Sequence, residues 1–242
     1  MKKESKKEKI DPKLSQVKES PEVKERNINN FIKQNLNYII AGIAVIIIGV
    51  LIIVFIGGSN SKKEKQASLY LSRLYTYIEA QDYKTALSGD KTKTVRGEEL
   101  YGLEYIVNNY KGTDAGKLAS VFAGNCYLQM NQPQRAIMYF ELGLKSKNED
   151  VLEGANAGLA CAYEYNKEYE RAAEHYSKAS QYAKDDENRA RYLLFAAMCN
   201  EQAKKMDIAK EEYAKVINIS PESEYSEIAK ASLTRLGIVI DL

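Results

Sequence analysis

The hydropathy pattern is dominated by an unbroken apolar run of 18 uncharged residues from Ile39 to Ile56. As a helix rising about 1.5 Å per residue, it covers about 27 Å, close to the hydrocarbon thickness of a bilayer. Fourteen of these residues are Ile, Val, Leu or Phe. At roughly −0.3 to −0.6 kcal/mol each, they contribute about −4 to −8 kcal/mol to insertion. A signal-peptide core is shorter, and a buried helix of this length would show a polar edge. The pattern predicts one transmembrane helix over about 38–58, with Phe31, Ile32 and Leu36 leading into it as an interfacial approach from residue 31. Residues 1–30 mix Lys, Glu and Ser with Pro12 and Pro21. They offer little apolar surface to offset chain entropy, so a disordered charged tail is expected.

Beyond the span, 62–242 reads as helical almost throughout, rich in Ala, Leu, Glu, Lys and Tyr, with Pro133 and Pro221 as breakers and no alternating strand pattern. The expected fold class is all-α. Repetition decides its kind. Gly124 precedes Tyr127, and Ala136 precedes Phe140. The same order returns as Ala160, Tyr163, Ala172 and Tyr176, and again as Ala197, Ala209 and Tyr213, with Pro221 beyond. This spacing resembles the tetratricopeptide pattern, in which a small residue lets paired helices approach and an aromatic fills the gap between pairs. The resemblance implies a solenoid of helical hairpins with clear repeats at about 117–150, 153–186 and 190–223. Phe140 to Tyr176 is 36 residues and Tyr176 to Tyr213 is 37, so each inter-repeat turn is expected to carry two or three residues beyond the ideal. Asn200 stands where an aromatic is expected, and Gly143 and Val216 stand where Ala179 matches. Tyr77, Asp82, Tyr83 and Ala86 resemble a degenerate earlier repeat, followed by a polar segment, Ser88 to Gly97, and a helix from about Glu98 to Tyr110. Glu224 to Leu236 reads as a C-terminal capping helix.

Taken together, the tail, the span and the stretch from DYKTALSGD to NNYKGTDAGKLASVFAGNCYLQMNQPQRAIMYF are similar to the YfgM-like family of bacterial membrane-anchored tetratricopeptide proteins. That family comprises accessory partners of the SecYEG translocon and of periplasmic chaperones. The resemblance implies a single-pass protein of the bacterial inner membrane whose repeat domain binds other proteins: translocon subunits, chaperones or secreted chains. It also implies a groove lined by the first helix of each repeat. The matching positions are Leu118, Val121, Asn125 and Gln129, then Ala157, Cys161, Glu164 and Tyr165, then Arg191, Leu194, Met198, Glu201 and Gln202. Val121 and Ala157 stand where some relatives carry the cations that clamp a terminal carboxylate, which argues against that mode of capture. A scaffold or regulator of outer-membrane or peptidoglycan machinery would use the same architecture and is the alternative reading.

Charge and chemistry narrow the picture further. Net charge is +2, but residues 1–37 hold 10 Lys or Arg against 6 Asp or Glu. The rest is therefore slightly acidic and a poor nucleic-acid binder. Cys126, Cys161 and Cys199 lack metal-ligand spacing, and His175 is the sole histidine, so no metal site is expected. His175 reads as an exposed helix residue. No phosphate loop, nucleophile–base pair or cofactor motif appears, and no catalytic residue is nominated. Asp185, Asp186 and Glu187 read as the start of a helix, where negative charge meets the positive end of its dipole. Flanking charge is Lys24, Arg26 and Lys33 before the span against Lys62, Lys63, Lys65 and Arg73 after it. That balance slightly favours a cytoplasmic domain, whereas the family resemblance implies a periplasmic one.

Overall fold

The computed structural model describes residues 60–95 and 97–238. The expected tail and membrane-spanning helix lie outside the described residues. Among the described residues no helix is long and apolar enough to cross a membrane.

The described chain runs α1 (60–72), α2 (Tyr75–Glu79), α3 (Tyr83–Ser88), β1 (Gly89–Val95), β2 (Glu98–Tyr101) and α4 (Leu103–Tyr110). Three helix pairs follow: α5 (Asp114–Gln129) with α6 (Pro133–Gly143), α7 (Glu149–Tyr165) with α8 (Tyr169–Tyr182), and α9 (Asp186–Gln202) with α10 (Met206–Ile219). A last helix, α11 (Glu224–Arg235), packs on α10 and α9.

The first helix of each pair starts in the same way. Thr113, Asn148, Asp185 and Ser223 are the caps of α5, α7, α9 and α11, each accepting a backbone N–H from the first turn. Asp114, Glu149, Asp150, Asp186, Glu187, Glu224 and Glu227 follow in those first turns. Caps satisfy otherwise orphaned donors, and the acids complement the helix dipole.

The turn inside each pair is also the same object repeated. Asn131, Lys167 and Lys204 adopt φ of 61°, 62° and 64°. The following N–H closes back onto the helix: Gln132 to Tyr127 O at 2.9 Å, Glu168 to Tyr163 O at 2.8 Å and Lys205 to Asn200 O at 2.8 Å. This is the left-handed helix stop normally given to glycine. Gln81, with φ 59° and the Asp82 N–H 2.9 Å from Tyr77 O, repeats it, so α1–α2 and α3 form a fourth hairpin of the same design. Gly237, with φ 82° and Ile238 N–H 3.0 Å from Leu233 O, ends α11 likewise.

Packing turns on Phe140, which is fully buried. A Cβ added at Gly124 would lie 2.6 Å from its ring, and one at Gly158 would lie 2.2 Å away. The ring therefore occupies space that glycine leaves open on its own repeat's first helix and on the next repeat's. Tyr176 holds the same register one repeat on, its ring 5.4 Å from that of Phe195. Gly143 admits Val121, whose Cγ2 would stand 2.9 Å from a Cβ there, which accounts for the small residue at that position. The extra residues between repeats are spread unevenly. Five separate α6 from α7, but three separate α8 from α9, the remainder lengthening α8 to 14 residues.

The all-α expectation is corrected at 89–101. Strand β1 pairs antiparallel with β2, with a register shift between Asp90 and Thr94, and the helix expected from Glu98 begins only at Leu103. Lys91, Thr92, Lys93 and Thr94 are exposed and, among the described side chains of the two strands, Leu100 is the one buried deeply, so the polar run of β1 gives no alternation to announce the hairpin. It is folded tightly onto α3 by two glycines. A Cβ at Gly102 would meet Leu87 O at 2.2 Å, and one at Gly89, where φ is 75°, would meet Leu100 O at 2.1 Å. Four tyrosines then bind hairpin, α4 and α1 together: Tyr101 stacks on Tyr105 at 4.1 Å, and Tyr70 meets the rings of Tyr101, Tyr105 and Tyr110 edge-on.

Two substitutions test this account by urea unfolding. Gly158→Ala forces a methyl into the Phe140 ring and is expected to cost about 1–3 kcal/mol. Lys167→Gly relieves the left-handed residue and is expected to gain about 0.5–1 kcal/mol, the left-handed penalty exceeding the added unfolded-state entropy.

Candidate functional site

The thirteen groove positions fall in one register on α5, α7 and α9, and the structure divides them into three kinds. Asn125, Gln129, Cys161, Glu164, Tyr165, Met198 and Gln202 are exposed, Tyr165 by 58% and Met198 by 45%. Leu118, Ala157, Arg191 and Glu201 are half-buried. Val121 and Leu194 are core residues, 5% and 1% exposed. Val121 points into the space beside Gly143 and Gly154, and Leu194 packs in the cluster with Tyr213, Val216 and Leu233. Their side chains are used for packing between helices, so an open face contains neither.

Several of the remaining positions are tied into polar contacts behind that face. Tyr176 donates to Glu164 at 2.9 Å and lies 3.3 Å from Cys161 Sγ. One repeat later Tyr213 donates to Glu201 at 3.0 Å. In the first repeat the pair is Phe140 and Leu128, so the polar couple replaces an apolar one in register. Glu201 also receives both Arg235 nitrogens from α11, at 2.7 and 2.9 Å. The guanidinium holds its carboxyl below the usual carboxylate range. Glu201 is thus a clasp for the last helix. Tyr165 donates to Asn131 of the preceding repeat, and Arg191 reaches Tyr192, whose hydroxyl donates to Glu153 on α7 at 3.0 Å.

At the amino-terminal end of the same face, Leu71 and Tyr75 join Leu118, Asn148 and Val151 around a cavity of about 220 Å³. Tyr75 meets Phe122 edge-on at 5.4 Å. Sequence reasoning missed Tyr75 and Val151. Tyr75 lies in the degenerate repeat, two residues before Tyr77, and that spacing was the only signal for it.

His175 departs from the exposed reading. It is half-buried, its Nδ1 3.0 Å from Asn156 Oδ1 and its ring stacked 5.5 Å from Tyr163. Burial pushes its pKa down. Arg171 lies 3.8 Å over the same Tyr163 ring, and Arg135 lies 4.0 Å over Tyr127 one repeat earlier, a cation–π contact repeated in register. The third repeat drops it. There Asn200 instead donates to buried Glu212 at 2.8 Å, and Ser177 donates to the other oxygen at 3.0 Å. Asn200 replaces an aromatic because it serves this link among α8, α9 and α10.

Burial pushes the Cys126 thiol up to about 11 and the Cys199 thiol up to about 12, so both stay protonated at neutral pH. Among the described residues no group of three or more His, Cys, Asp and Glu could hold a metal ion.

Burial raises the Glu212 carboxyl above its ordinary value. The native state therefore binds that proton more tightly than the unfolded chain, and stability from this group falls as pH rises between the two values. Glu212→Gln keeps both contacts once the Asn200 amide turns over, and removes the titration. The variant is expected to gain on the wild type from acid to neutral pH, as read from paired urea midpoints. Glu212→Ala leaves Asn200 without its acceptor and is expected to cost about 1–3 kcal/mol.

A tetratricopeptide repeat family model matches residues 119–150, which takes in most of α5, all of α6 and the turn after it. No curated protein matches the chain. With the hairpins repeated in register on both sides of that match, the described domain is built of tetratricopeptide-like repeats, a module that generally binds other proteins.

Proposed function

We propose that the chain is a membrane-tethered, non-enzymatic protein-binding module, accessory to protein translocation or to periplasmic chaperone networks, with its repeats outside the cytoplasm. The carrying observation is the face shared by α5, α7 and α9. It presents exposed Tyr165 and Met198 among Asn125, Gln129 and Gln202. Amphipathic and thioether side chains that stay half in water supply adaptable contact area to a partner chain. The tether and the resemblance to YfgM-like proteins support placing that face beside the secretion machinery.

Photo-crosslinkers at Tyr165 and Met198, in native membranes, are expected to capture translocon subunits, chaperones or exported chains, while one at exposed Lys215 on α10 does not. Recovery of outer-membrane or peptidoglycan assembly factors instead would replace this reading with the scaffold one. Topology has its own reporter, because Cys126 and Cys199 are buried and Cys161 is exposed. A membrane-impermeant thiol reagent is expected to label Cys161 in intact spheroplasts. Labelling only after permeabilisation would put the repeats in the cytoplasm.

A further inference from the structure

We propose that the cavity between α8 and the turn joining α9 to α10 takes up a tyrosine side chain from a partner chain. The inference stands on the repeat register. It depends neither on the tether nor on what meets the open face of α5, α7 and α9. In the first two repeats, three positions spaced by eight and then four residues make one unit: a tyrosine on the first helix, an arginine over its ring, and a second ring stacked on it. They are Tyr127, Arg135 and Tyr139, with the guanidinium 4.0 Å over the ring and the two rings 5.2 Å apart. One repeat later they are Tyr163, Arg171 and His175, at 3.8 and 5.5 Å. The third repeat carries Asn200, Ile208 and Glu212 at the same spacing. An amide–carboxylate contact of 2.8 Å stands in for ring on ring, and neither the first ring nor its cation is supplied.

Beside these smaller side chains lies a cavity of about 360 Å³, lined by both Asn200 and Ile208. A cavity of about 150 Å³ holds benzene, so a phenol ring fits with part of its backbone. The walls suit a ring. Ala173 is buried, and Ile208 presents an aliphatic surface that is 46% exposed. Arg171 lines the cavity as well as covering Tyr163, and a planar guanidinium stacked on one ring has a second face for another. Asn200 selects tyrosine among the aromatics. It is 7% exposed and spends one N–H on Glu212, while its Oδ1 has no hydrogen-bond partner among the described residues. A buried acceptor left unpaired favours a ligand that brings a donor, as a phenol O–H does. At the rim Glu170 and Lys205 pair at 3.2 Å. They offer polar groups to the peptide units flanking the ring, which favours a protein chain over a small phenol.

The test titrates N-acetyltyrosine amide into the full chain in detergent micelles, with isoleucine methyl groups labelled for NMR. A ring over Ile208 is expected to move its methyl signal upfield, while Ile228 and Ile238, also exposed, stay in place. N-acetylphenylalanine amide, which lacks the hydroxyl, is expected to bind about fivefold more weakly. p-Cresol, which lacks the backbone, is expected to bind more weakly than N-acetyltyrosine amide, and N-acetylleucine amide to give no shift. Arg171→Ala is expected to weaken the tyrosine probe about threefold. Asn200→Tyr fills the cavity with the chain's own ring and is expected to abolish the response. Equal shifts at all three isoleucines, equal binding of the leucine probe, or undiminished binding by Asn200→Tyr overturns the proposal. p-Cresol binding as tightly as N-acetyltyrosine amide overturns the assignment to a partner chain. If Asn200→Tyr does not fold, unchanged affinity in Arg171→Ala, which alters an exposed side chain, overturns the proposal by itself. None of these outcomes alters the crosslinking expected from Tyr165 and Met198.

Discussion

The solenoid depends on one steric bargain: an aromatic ring on the second helix of a repeat needs a small residue on the first helix of its own repeat. At Phe140 the fit leaves no room even for a methyl on Gly124 or Gly158. Close-packed interiors transmit such a constraint because nothing can yield without opening a void elsewhere. It fixes the distance of α6 from α5 and the placement of α7 on both. The later repeats keep the aromatic but add a hydroxyl, and a buried hydroxyl needs a partner. Glu164 and Glu201 supply it from the register position that Leu128 fills in the first repeat.

That choice shapes the open face. Glu201 holds Tyr213 from within the third repeat and Arg235 from α11. A carboxylate so occupied has little left for a visitor. The residues free to meet a partner are those whose side chains the hairpins do not use: Asn125, Gln129, Met198, Gln202 and the ring of Tyr165. The same division explains Asn200. Ile208 stands where the first two repeats carry their stacking arginine, and the Asn200 amide instead donates to buried Glu212, a link that joins three helices.

The amino-terminal quarter follows a different logic. Its hairpin, α1–α2 with α3, keeps the left-handed stop at Gln81, but the second helix is cut to six residues and gives way to a β-hairpin. Tyr70, Tyr101, Tyr105 and Tyr110 then do by ring-to-ring contact what the aromatic wedge does elsewhere. Glu64 adds a fastening at the other side of α1, closing the start of α5.

The repeat register was legible from the chain alone, because Gly124, Tyr127, Ala136 and Phe140 and their successors mark contacts made within about 35 residues of one another. Local spacing encodes local packing. The acidic helix starts at Asp185–Glu187 were legible for the same reason. The hairpin at 89–101 was not, since the polar run from Lys91 to Thr94 leaves no alternation to read. Nor was the division of the groove. Val121 and Leu194 share a register with Asn125 and Met198, and only the approach of the neighbouring helices decides which side chains are covered. Glu64 is the sharpest case. Its sequence neighbours make it part of a charged cluster, and a contact fifty residues away takes it out. The sequence by itself determined the period, the helix starts and the small-and-aromatic code. Tertiary structure decided which polar groups are consumed in holding the helices together, because that depends on partners brought close by folding rather than on spacing along the chain.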